Sequence, residues 1–231
     1  MKKFKDFGNF IQMNDQLILK FPTQQAYKKE DFYVSPSNQE AYDFINSWPK
    51  WIKRIINIFG PSGSGKSHLA SILKNKTSCL SIDSKKLNEK TFLEFKTKEA
   101  LIIENLDEKI SEKILFTLWN IALHDNKYFL ITSKKPINLY KFKLPDLISR
   151  VNSSLIIGIN LPTDDLISVI LAKNFSDKQI KIKKKHIDYI IKRIDRSYEK
   201  ISQFILTLDK YSLKKGSPFS LKLIKEVLKM I

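Results

Sequence analysis

Short apolar runs alternate along the chain with stretches of helical periodicity, and this pattern predicts strands that alternate with helices. The clearest helical stretch runs from Ile110 to His124, where apolar residues at helical spacing make one wide face. The predicted strands are Ile55–Phe59, Cys79–Asp83, Glu99–Asp107, Tyr128–Ser133 and Ser154–Ile159. Such alternation is typical of an α/β domain with a parallel sheet.

The pattern changes in the last quarter of the chain, which has helical periodicity and no strand-like run. Helices are predicted there at His186–Ile194, Tyr198–Tyr211 and Ser220–Met230. Residues 1–30 have weak periodicity and many polar residues, which favours an extended arm. We therefore expect an arm over residues 1–30, an α/β domain over 31–175 and a small all-α lid domain over 176–231.

One glycine-rich segment joins the first predicted strand to a predicted helix, and its residues are Gly60, Pro61, Ser62, Gly63, Ser64, Gly65, Lys66 and Ser67. This is the spacing and the context of a phosphate-binding P-loop. Glycine lets backbone N–H groups turn toward a phosphate, and the amino end of a helix adds partial positive charge. We expect Lys66 to reach the β- and γ-phosphates and the Ser67 hydroxyl to bind Mg²⁺. The alternative is a turn that matches by accident, against which the flanking strand and helix argue.

Polar residues end two of the predicted strands. Glu104 closes an apolar run, at the sheet edge where P-loop proteins hold Mg²⁺ and the attacking water, so it is a candidate metal ligand; a solvated strand end is the alternative. Asn105 follows, where ATP-hydrolysing enzymes usually have a second carboxylate. An amide binds water but cannot take its proton, which predicts weak or no intrinsic hydrolysis. Thr132 and Ser133 end the other strand and are candidates for sensing the γ-phosphate, although polar strand ends are common.

The net charge of +17 would suit a partner rich in phosphates. However, all but four of the 41 basic residues are lysines, which is also what an AT-rich coding sequence produces. The charge therefore indicates either a surface that binds DNA directly or a compositional bias.

Two arginines lie where a nucleotide-hydrolysing assembly would use them. Arg150 lies near the end of a short predicted helix, residues 143–151, late in the α/β domain, from where it would project toward the nucleotide of a neighbouring subunit. Its alternative is a surface pair with Asp146. Arg196 begins a lid helix and would aim at the phosphates, and its alternative is a surface pair with Glu199.

Other function classes lack support. No apolar run approaches the ~18 to 20 residues of a membrane span, and the amino terminus lacks the apolar core of a signal peptide. We therefore expect no membrane span and a cytoplasmic location. Cys79 is the single cysteine, which excludes an internal disulfide, and the three histidines show no metal-ligand spacing with it. A structural metal is not expected.

Two segments before the P-loop are candidates for recognition. In Gln16–Phe21 the apolar residues Leu17, Leu19 and Phe21 follow Gln16 in a pattern that suits an extended peptide placing side chains in a partner's pocket. An edge strand is the alternative. Phe32 and Val34 occupy the segment from which many P-loop ATPases contact adenine, with ordinary packing as the alternative.

The order of these features resembles an AAA+ ATPase, and the chain is most similar to the DnaA family, within it to the Hda type, the regulatory inactivators of DnaA. Four segments carry the resemblance: Asp31–Asn38, Gly60–Ser67 with His68 and Leu69, Leu144–Arg150, and Arg196–Tyr198 with Leu208 and Asp209. The P-loop is shared by many families, whereas the Leu-Pro-Asp-Leu-x-Ser-Arg segment and the leading peptide are specific. The resemblance runs from about Gln16 to the end.

The resemblance implies an AAA+ parallel five-stranded sheet with flanking helices and a small all-α lid. It implies bound ADP or ATP with Mg²⁺, Arg150 as an arginine finger, Arg196 as the sensor II arginine, and Gln16–Phe21 as a peptide for the sliding clamp, the β subunit of DNA polymerase III. The implied activity is stimulation of ATP hydrolysis by DnaA, a negative regulation of the initiation of DNA replication. DNA contact would then be indirect, through the clamp, and a homo-oligomer stays open.

Two residues depart from the DnaA pattern. Asn105 replaces the second acid, and Lys134 stands where DnaA-like chains often carry Asp. Both fit a protein that holds nucleotide, ADP above all, while promoting hydrolysis on its partner. The sequence stops after the lid, so a helix-turn-helix domain and origin binding are not expected.

Two rival functions stay open at this point. One is a DnaC/IstB-like helicase loader or ATPase helper that acts on single-stranded DNA through the basic surface. The other is a P-loop kinase for a small molecule, against which the late arginine and the helical lid argue.

Overall fold

The computed structural model describes residues 12–13, 16–17, 32–177, 180, 182–215 and 220–231. At the amino end, β1 (Gln12–Met13) pairs antiparallel with β2 (Gln16–Leu17). The central strands are β3 (Ile55–Phe59), β4 (Cys79–Asp83), β5 (Ala100–Leu106), β6 (Tyr128–Ser133) and β7 (Leu155–Gly158). The helices are α1 (Gln39–Asn46), α2 (Lys66–Lys74), α3 (Lys90–Lys96), α4 (Glu112–His124), α5 (Pro145–Ser153), α6 (Asp164–Asp177), α7 (Lys184–Ile191), α8 (Tyr198–Lys215) and α9 (Leu221–Leu228).

The five central strands form one parallel sheet in the order β4-β5-β6-β3-β7. Strands in the middle of such a sheet are covered on both faces, which is why they read as continuous apolar runs rather than as alternating patterns. Ile56 and Ile58 of β3, for example, are fully buried, as is Leu130 of β6. The predicted five-stranded parallel sheet with flanking helices is confirmed.

Two apolar clusters cover the faces of the sheet. One face packs against α3, α4 and α5 and includes the buried side chains of Phe95, Trp119 and Phe129. The other face packs against α1 and α2 and includes Ile45 and Leu69. The sheet is therefore the middle of three layers, and the carboxyl ends of its strands form one edge between the helices.

A third apolar cluster lies within α6, α7, α8 and α9, which form the helical carboxyl-terminal segment expected from the sequence. Phe204 and Leu208 of α8 are fully buried there, together with Ile190 of α7. Helix α6 contributes Ile167, Leu171 and Phe175 to this cluster, although the boundary expected at residue 175 groups α6 with the sheet. Among the described residues, no helix combines the length and the apolar character that crossing a membrane requires.

Candidate functional site: a phosphate-binding cleft

The glycine-rich loop joins the carboxyl end of β3 to the amino end of α2. Gly63 and Gly65 have φ of 80° and 93°, a left-handed conformation that other residues rarely adopt. Gly65 caps α2, so the unpaired N–H groups of the first helical turn lie at the loop. A Cβ on Gly65 would lie 2.8 Å from Cε2 of Phe32, so this position also has no room for a side chain. The loop and the helix start together make a cradle for an anion.

Lys66 is a nearly buried cation, 8% exposed, at the base of this cradle. Its Nζ donates hydrogen bonds to the carbonyl oxygens of Gly60 at 2.8 Å and Pro61 at 2.7 Å. Burial, and second the positive charge of Lys134, lower the pKa of Lys66 to about 8. A bound phosphate would relieve both effects, because it supplies the negative charge that the carbonyl groups lack.

A cleft of about 900 Å³ lies between the P-loop and the carboxyl ends of β4, β5 and β6. It is lined by Ser62, Gly63, Gly65, Lys66, Ser67, His68, Asp83, Lys85, Asn105, Leu106, Asp107, Glu108, Ser133, Lys134, Lys135, Tyr140 and Ser202. Seven of the candidate nucleotide-binding residues predicted from the sequence thus line one cleft: Ser62, Gly63, Gly65, Lys66, Ser67, Asn105 and Ser133. The volume is in the usual range of small-ligand sites.

Asn105 is held in place from three directions. It has a φ of 56°, and its side-chain amide donates a hydrogen bond to Asp83 Oδ2 at 2.8 Å. Its backbone N–H donates to Thr132 Oγ1 at 3.2 Å, and its carbonyl accepts from Ser84 Oγ at 2.8 Å. The amide hydrogen bond lowers the pKa of Asp83. Asn105 therefore points its donor at an acid, and neither of its side-chain groups can accept a proton from water at neutral pH.

Glu104 lies at the carboxyl end of β5 and is half-buried, and it is not among the residues that line the cleft. Its carboxylate accepts a hydrogen bond from Ser81 Oγ at 3.1 Å. Mg²⁺ prefers hard oxygen ligands and usually keeps several waters. The Ser67 hydroxyl and the Glu104 carboxylate have that chemistry, so the residues fit this ion. Among the described residues, no group of three or more His, Cys, Asp and Glu side chains could hold a metal ion, so water or phosphate oxygens would complete the coordination.

Thr132 and Ser133, the candidate phosphate sensors, are both 1% exposed at the end of β6. Thr132 accepts the bond from Asn105, and Ser133 Oγ donates to the carbonyl of Lys135 at 2.7 Å. The backbone N–H of Gly60 donates to the carbonyl of Ser133 at 3.2 Å. Strand β6 is thus tied directly to the first residue of the P-loop, and both hydroxyl groups already have partners in the fold.

The candidate adenine-contacting residues lie outside the lining of the cleft. Phe32 packs on Gly65, stacks on Tyr42 with ring centres 5.4 Å apart, and meets the edge of His68 at 5.1 Å. Val34 is half-buried. Phe32 therefore supports the P-loop from the side of α1, and a base contact by either residue stays a prediction.

Arg196 makes a two-pronged pair with Asp164, and Nε and one terminal nitrogen lie 2.9 and 3.0 Å from the two carboxylate oxygens. This partner differs from Glu199, the sequence neighbour considered above, and it joins the start of α6 to the segment before α8. The hydrogen bond lowers the pKa of Asp164 and raises that of Arg196. In this arrangement Arg196 does not line the cleft, whereas Ser202 of α8 does. A phosphate contact by Arg196 would first require this pair to open.

Arg150 lies in the last turn of α5, outside the cleft. Its guanidinium sits 5.4 Å from the ring centre of Phe116 on α4. In the part of the chain that the structure describes, no ion pair joins Arg150 to Asp146, the partner considered above. Arg150 is half-exposed, and no carboxylate pairs with it among the described residues.

Sequence reasoning missed several lining residues, among them Asp83, Lys135, Tyr140 and Ser202. Asp83 carried a usable signal, because it ends a predicted strand and carboxyl ends of parallel strands share one edge. Ser202 carried none, since its approach to the P-loop depends on how α8 packs. Tyr198 of the same helix lies against Gly63, where a Cβ would be 3.1 Å from Tyr198 Cβ.

The expected clamp peptide is described only in part. Gln16 and Leu17 form β2, whereas Leu19 and Phe21 lie outside the described residues. The clamp-binding role of this segment stays a prediction.

No family model matches the chain. Among curated proteins, it is similar to the chromosomal replication initiator protein DnaA of Campylobacter jejuni, with 26% identity over 88% of this chain and 52% of the relative. DnaA of Borrelia turicatae is also 26% identical, over 89% of this chain and 49% of the relative. The chain thus spans about half the length of the curated relatives it matches.

Solved structures agree with this similarity. Domain III of Thermotoga maritima DnaA superposes with a TM-score of 0.72 and 21% identity, over 91% of this chain and 98% of that one. The AMPPCP-bound DnaA of Aquifex aeolicus superposes with a TM-score of 0.67 and 18% identity, over 82% of this chain and 67% of that one. The chain is therefore DnaA-like in sequence and has the fold of the AAA+ domain of DnaA.

Proposed function

We propose that this chain binds an adenine nucleotide in the P-loop cleft and regulates the initiation of chromosome replication by stimulating ATP hydrolysis on DnaA, as Hda-type inactivators do. The observation that carries the proposal is the position of Arg150, which lies outside the nucleotide cleft of its own chain and pairs with no acid among the described residues. The similarity to replication initiators along most of the chain supports the same pathway.

Nucleotide binding follows from the cradle. The P-loop N–H groups and the start of α2 would hold the β-phosphate, and Lys66 would leave the carbonyl oxygens of Gly60 and Pro61 to meet the phosphate oxygens. Ser67 and Glu104 would hold Mg²⁺, which supplies charge neutralisation to the phosphates when it is bound. A structural neighbour carries AMPPCP, an ATP analogue, which supports adenine as the base.

The chain's own hydrolysis is expected to be weak because Asn105 takes the place of the second acid. A general base must accept the proton of the attacking water, and an amide does not. Asp83 accepts a hydrogen bond from the Asn105 amide, and this bond holds the pKa of Asp83 down and makes it a poorer base. The bound nucleotide would then act as a lasting structural ligand.

Arg150 would supply its charge to the nucleotide of a partner. In phosphoryl transfer, negative charge spreads over the oxygens of the transferred group, and an arginine from a neighbouring protein stabilises it. The Arg150 guanidinium lies over the ring of Phe116 in a cation–π contact, and this contact would limit the orientations that the side chain samples. In this scheme the chemistry occurs on DnaA.

An ATP-hydrolysis assay with DnaA tests the proposed function. When the nucleotide-bound chain is added to ATP-loaded DnaA, the rate at which DnaA converts ATP to ADP should rise. A chain that binds nucleotide and leaves that rate unchanged would disprove the regulatory role.

The clamp peptide gives a separate prediction. Replacing Gln16 and Leu17 with alanine should abolish retention of the chain on immobilised sliding clamp, because the leading glutamine and the first apolar side chain would fill the clamp pocket. Nucleotide affinity should be unchanged, and Gln12→Ala in the paired strand β1 is the matched control. Full retention of the double variant would contradict the clamp role of this segment.

The pKa of Lys66 predicts a pH dependence. Below about pH 8 the cradle already carries its cation, whereas above it binding must also take up a proton. Nucleotide affinity should therefore fall as pH rises above about 8, by up to tenfold per unit. The stability of the chain without ligand should show the opposite pH dependence. Because the pKa of Lys66 is lower in the folded state than in the unfolded state, the free energy of unfolding should rise between about pH 8 and 10.5. Calorimetry in buffers of different ionisation enthalpy measures the proton uptake, and a pH-independent affinity from 7 to 9.5 would contradict the assignment.

A second candidate function is binding of single-stranded DNA, as in helicase loaders. The net charge of +17 favours it, and one structural neighbour is a DnaA bound to AMPPCP and single-stranded DNA. Tight, salt-sensitive binding of an oligonucleotide, without effect on DnaA hydrolysis, would favour this function over the first.

A further inference from the structure

We propose that a groove at the amino-end edge of the central sheet is a docking site for an acidic segment of a partner protein that also carries an apolar side chain. The groove has a volume of about 480 Å³, and its lining includes Trp48, Pro49, Lys96, Lys98 and Tyr128. The proposal adds a second binding surface to the molecule and does not depend on a bound nucleotide.

The groove lies at the other end of the sheet from the P-loop. Tyr128 is the first residue of β6, and Glu99 directly precedes β5, whereas the nucleotide cleft lies at the carboxyl ends of these strands. The two sites share no lining residue. Strand β6 has six residues, which separates the two edges by about 17 Å. A segment in the groove would therefore leave the nucleotide cleft open.

Tyr128 fixes the apolar wall of the groove. Its hydroxyl donates a hydrogen bond to the carbonyl of Pro49 at 2.8 Å. Trp48 and Trp51 meet its ring edge-on, with ring centres 5.9 and 5.5 Å away, and the guanidinium of Arg54 lies 4.8 Å from the ring centre. The loop between α1 and β3 is thus held on one tyrosine, so the wall formed by Trp48 and Pro49 is preformed.

Two side chains of this loop favour a protein segment as the ligand. Ile52 is 83% exposed. Nε1 of Trp48 is buried and has no hydrogen-bond acceptor among the described residues, which is rare for a buried donor. A protein segment offers both an apolar side chain to cover Ile52 and backbone carbonyl groups that can accept from the indole.

Basic side chains surround this wall, and the fold itself uses only part of their charge. Nζ of Lys127 donates to the carbonyl oxygens of Lys96 and Lys98 at 2.9 and 2.6 Å, where it caps the carboxyl end of α3. Four other exposed or half-exposed lysines at this edge form no salt bridge among the described residues: Lys50, Lys53, Lys96 and Lys98. Carboxylates of an acidic segment would complement these charges.

Two acids in the groove favour a protein segment over a nucleic acid. Glu99 accepts a hydrogen bond from Thr77 Oγ1, and Oδ1 of Asp125 lies 2.7 Å from Nδ1 of His124. A nucleic acid strand has a phosphate at every nucleotide and would bring some of them against these carboxylates. An extended peptide can carry its acidic residues only where the lysines lie. A second copy of this chain is disfavoured, because its net charge is also +17.

Selection from a random peptide display library on the full wild-type chain tests the proposal. The enriched peptides should be rich in Asp and Glu and should contain an aromatic or aliphatic residue. Fluorescence anisotropy of a labelled, enriched peptide then measures its affinity for the variants. Lys96→Glu combined with Lys98→Glu should weaken binding about tenfold, because each attractive charge pair becomes repulsive. Ile52→Ser should also weaken it about tenfold, through the loss of apolar contact.

Matched controls lie in the helical segment. Lys222→Glu combined with Lys229→Glu makes the same change in net charge at exposed positions, and Leu206→Ser replaces another exposed apolar side chain. Both controls should keep the wild-type affinity, and thermal unfolding midpoints equal to theirs would show that the groove variants are folded.

Three results would overturn the proposal. One is that no acidic peptide is enriched. The second is that the groove variants and their controls bind the enriched peptide equally well. The third is that a fluorescent oligothymidylate binds the wild-type chain more tightly than the peptide does and loses its affinity in the Lys96 and Lys98 double variant, which would assign the groove to a nucleic acid.

Discussion

Replacing Arg150 with alanine is expected to lower the stimulation of DnaA hydrolysis by about 10³-fold, the lower end of what an arginine supplied by a partner contributes. The side chain lies outside the chain's own cleft, so its removal should not affect nucleotide binding. A single-turnover assay of ATP hydrolysis by DnaA, with the variant in place of the wild-type chain, measures the effect. Arg150→Lys should rescue little, because an ammonium does not match two phosphate oxygens as the planar guanidinium does.

A matched control exists in the same chain. Arg193 is also an arginine over an aromatic ring, 3.8 Å from the ring centre of Tyr189, and it lies in the helical segment. Arg193→Ala removes the same charge and the same type of contact, and stimulation should be unchanged. If Arg150→Ala retains full stimulation, or Arg193→Ala loses as much, Arg150 is not the residue that acts on the partner.

The second large effect is expected at Lys66. Lys66→Met should weaken adenine nucleotide binding about 100-fold or more, because charge-assisted contacts to the phosphates contribute about 1.5–3 kcal/mol each. The Lys66→Met variant should still fold, because methionine fills a similar volume and the substitution removes a cation that is costly to bury. The carbonyl oxygens of Gly60 and Pro61 lose a donor in return, so the free energy of unfolding should change by less than about 2 kcal/mol in either direction.

Lys74→Met on the same helix is the control for Lys66→Met. Lys74 is exposed in the last turn of α2, away from the cradle, so the identical substitution should leave nucleotide affinity unchanged. Calorimetric titration with ADP and ATP, beside thermal unfolding, separates affinity from stability. Wild-type affinity in Lys66→Met would contradict the assignment of the cradle.

The sheet was predictable because buried parallel strands are continuous apolar runs, and β4 and β6 begin and end where the pattern placed them. Helix ends were less predictable. Helix α8 continues to Lys215, beyond the expected Tyr211. Helix α6 continues to Asp177, and its buried Phe175 packs into the apolar cluster of the helical segment. The P-loop was predictable for another reason: its glycines, lysine and serine are contiguous in sequence.

The rest of the site depends on contacts between distant residues. The bond from Asn105 to Asp83 joins two strands, and the pair of Arg196 with Asp164 spans 32 residues where the sequence suggested a neighbour. Lys134 was recognisable as a departure from the DnaA pattern, but its position beside Lys66 follows from the register of β3 and β6. Local sequence thus predicts the phosphate cradle, whereas the charge environment of the cleft requires the fold.

Radiolabelled ATP loaded into one protein at a time would show most directly where hydrolysis takes place. With the label on DnaA, adding the chain should release labelled phosphate rapidly in a single turnover. With the label in the P-loop cleft of the chain, release should stay slow whether or not DnaA is present. Rapid release from the chain's own cleft would contradict the conclusion that its nucleotide is a structural ligand and that Arg150 acts on the nucleotide of its partner.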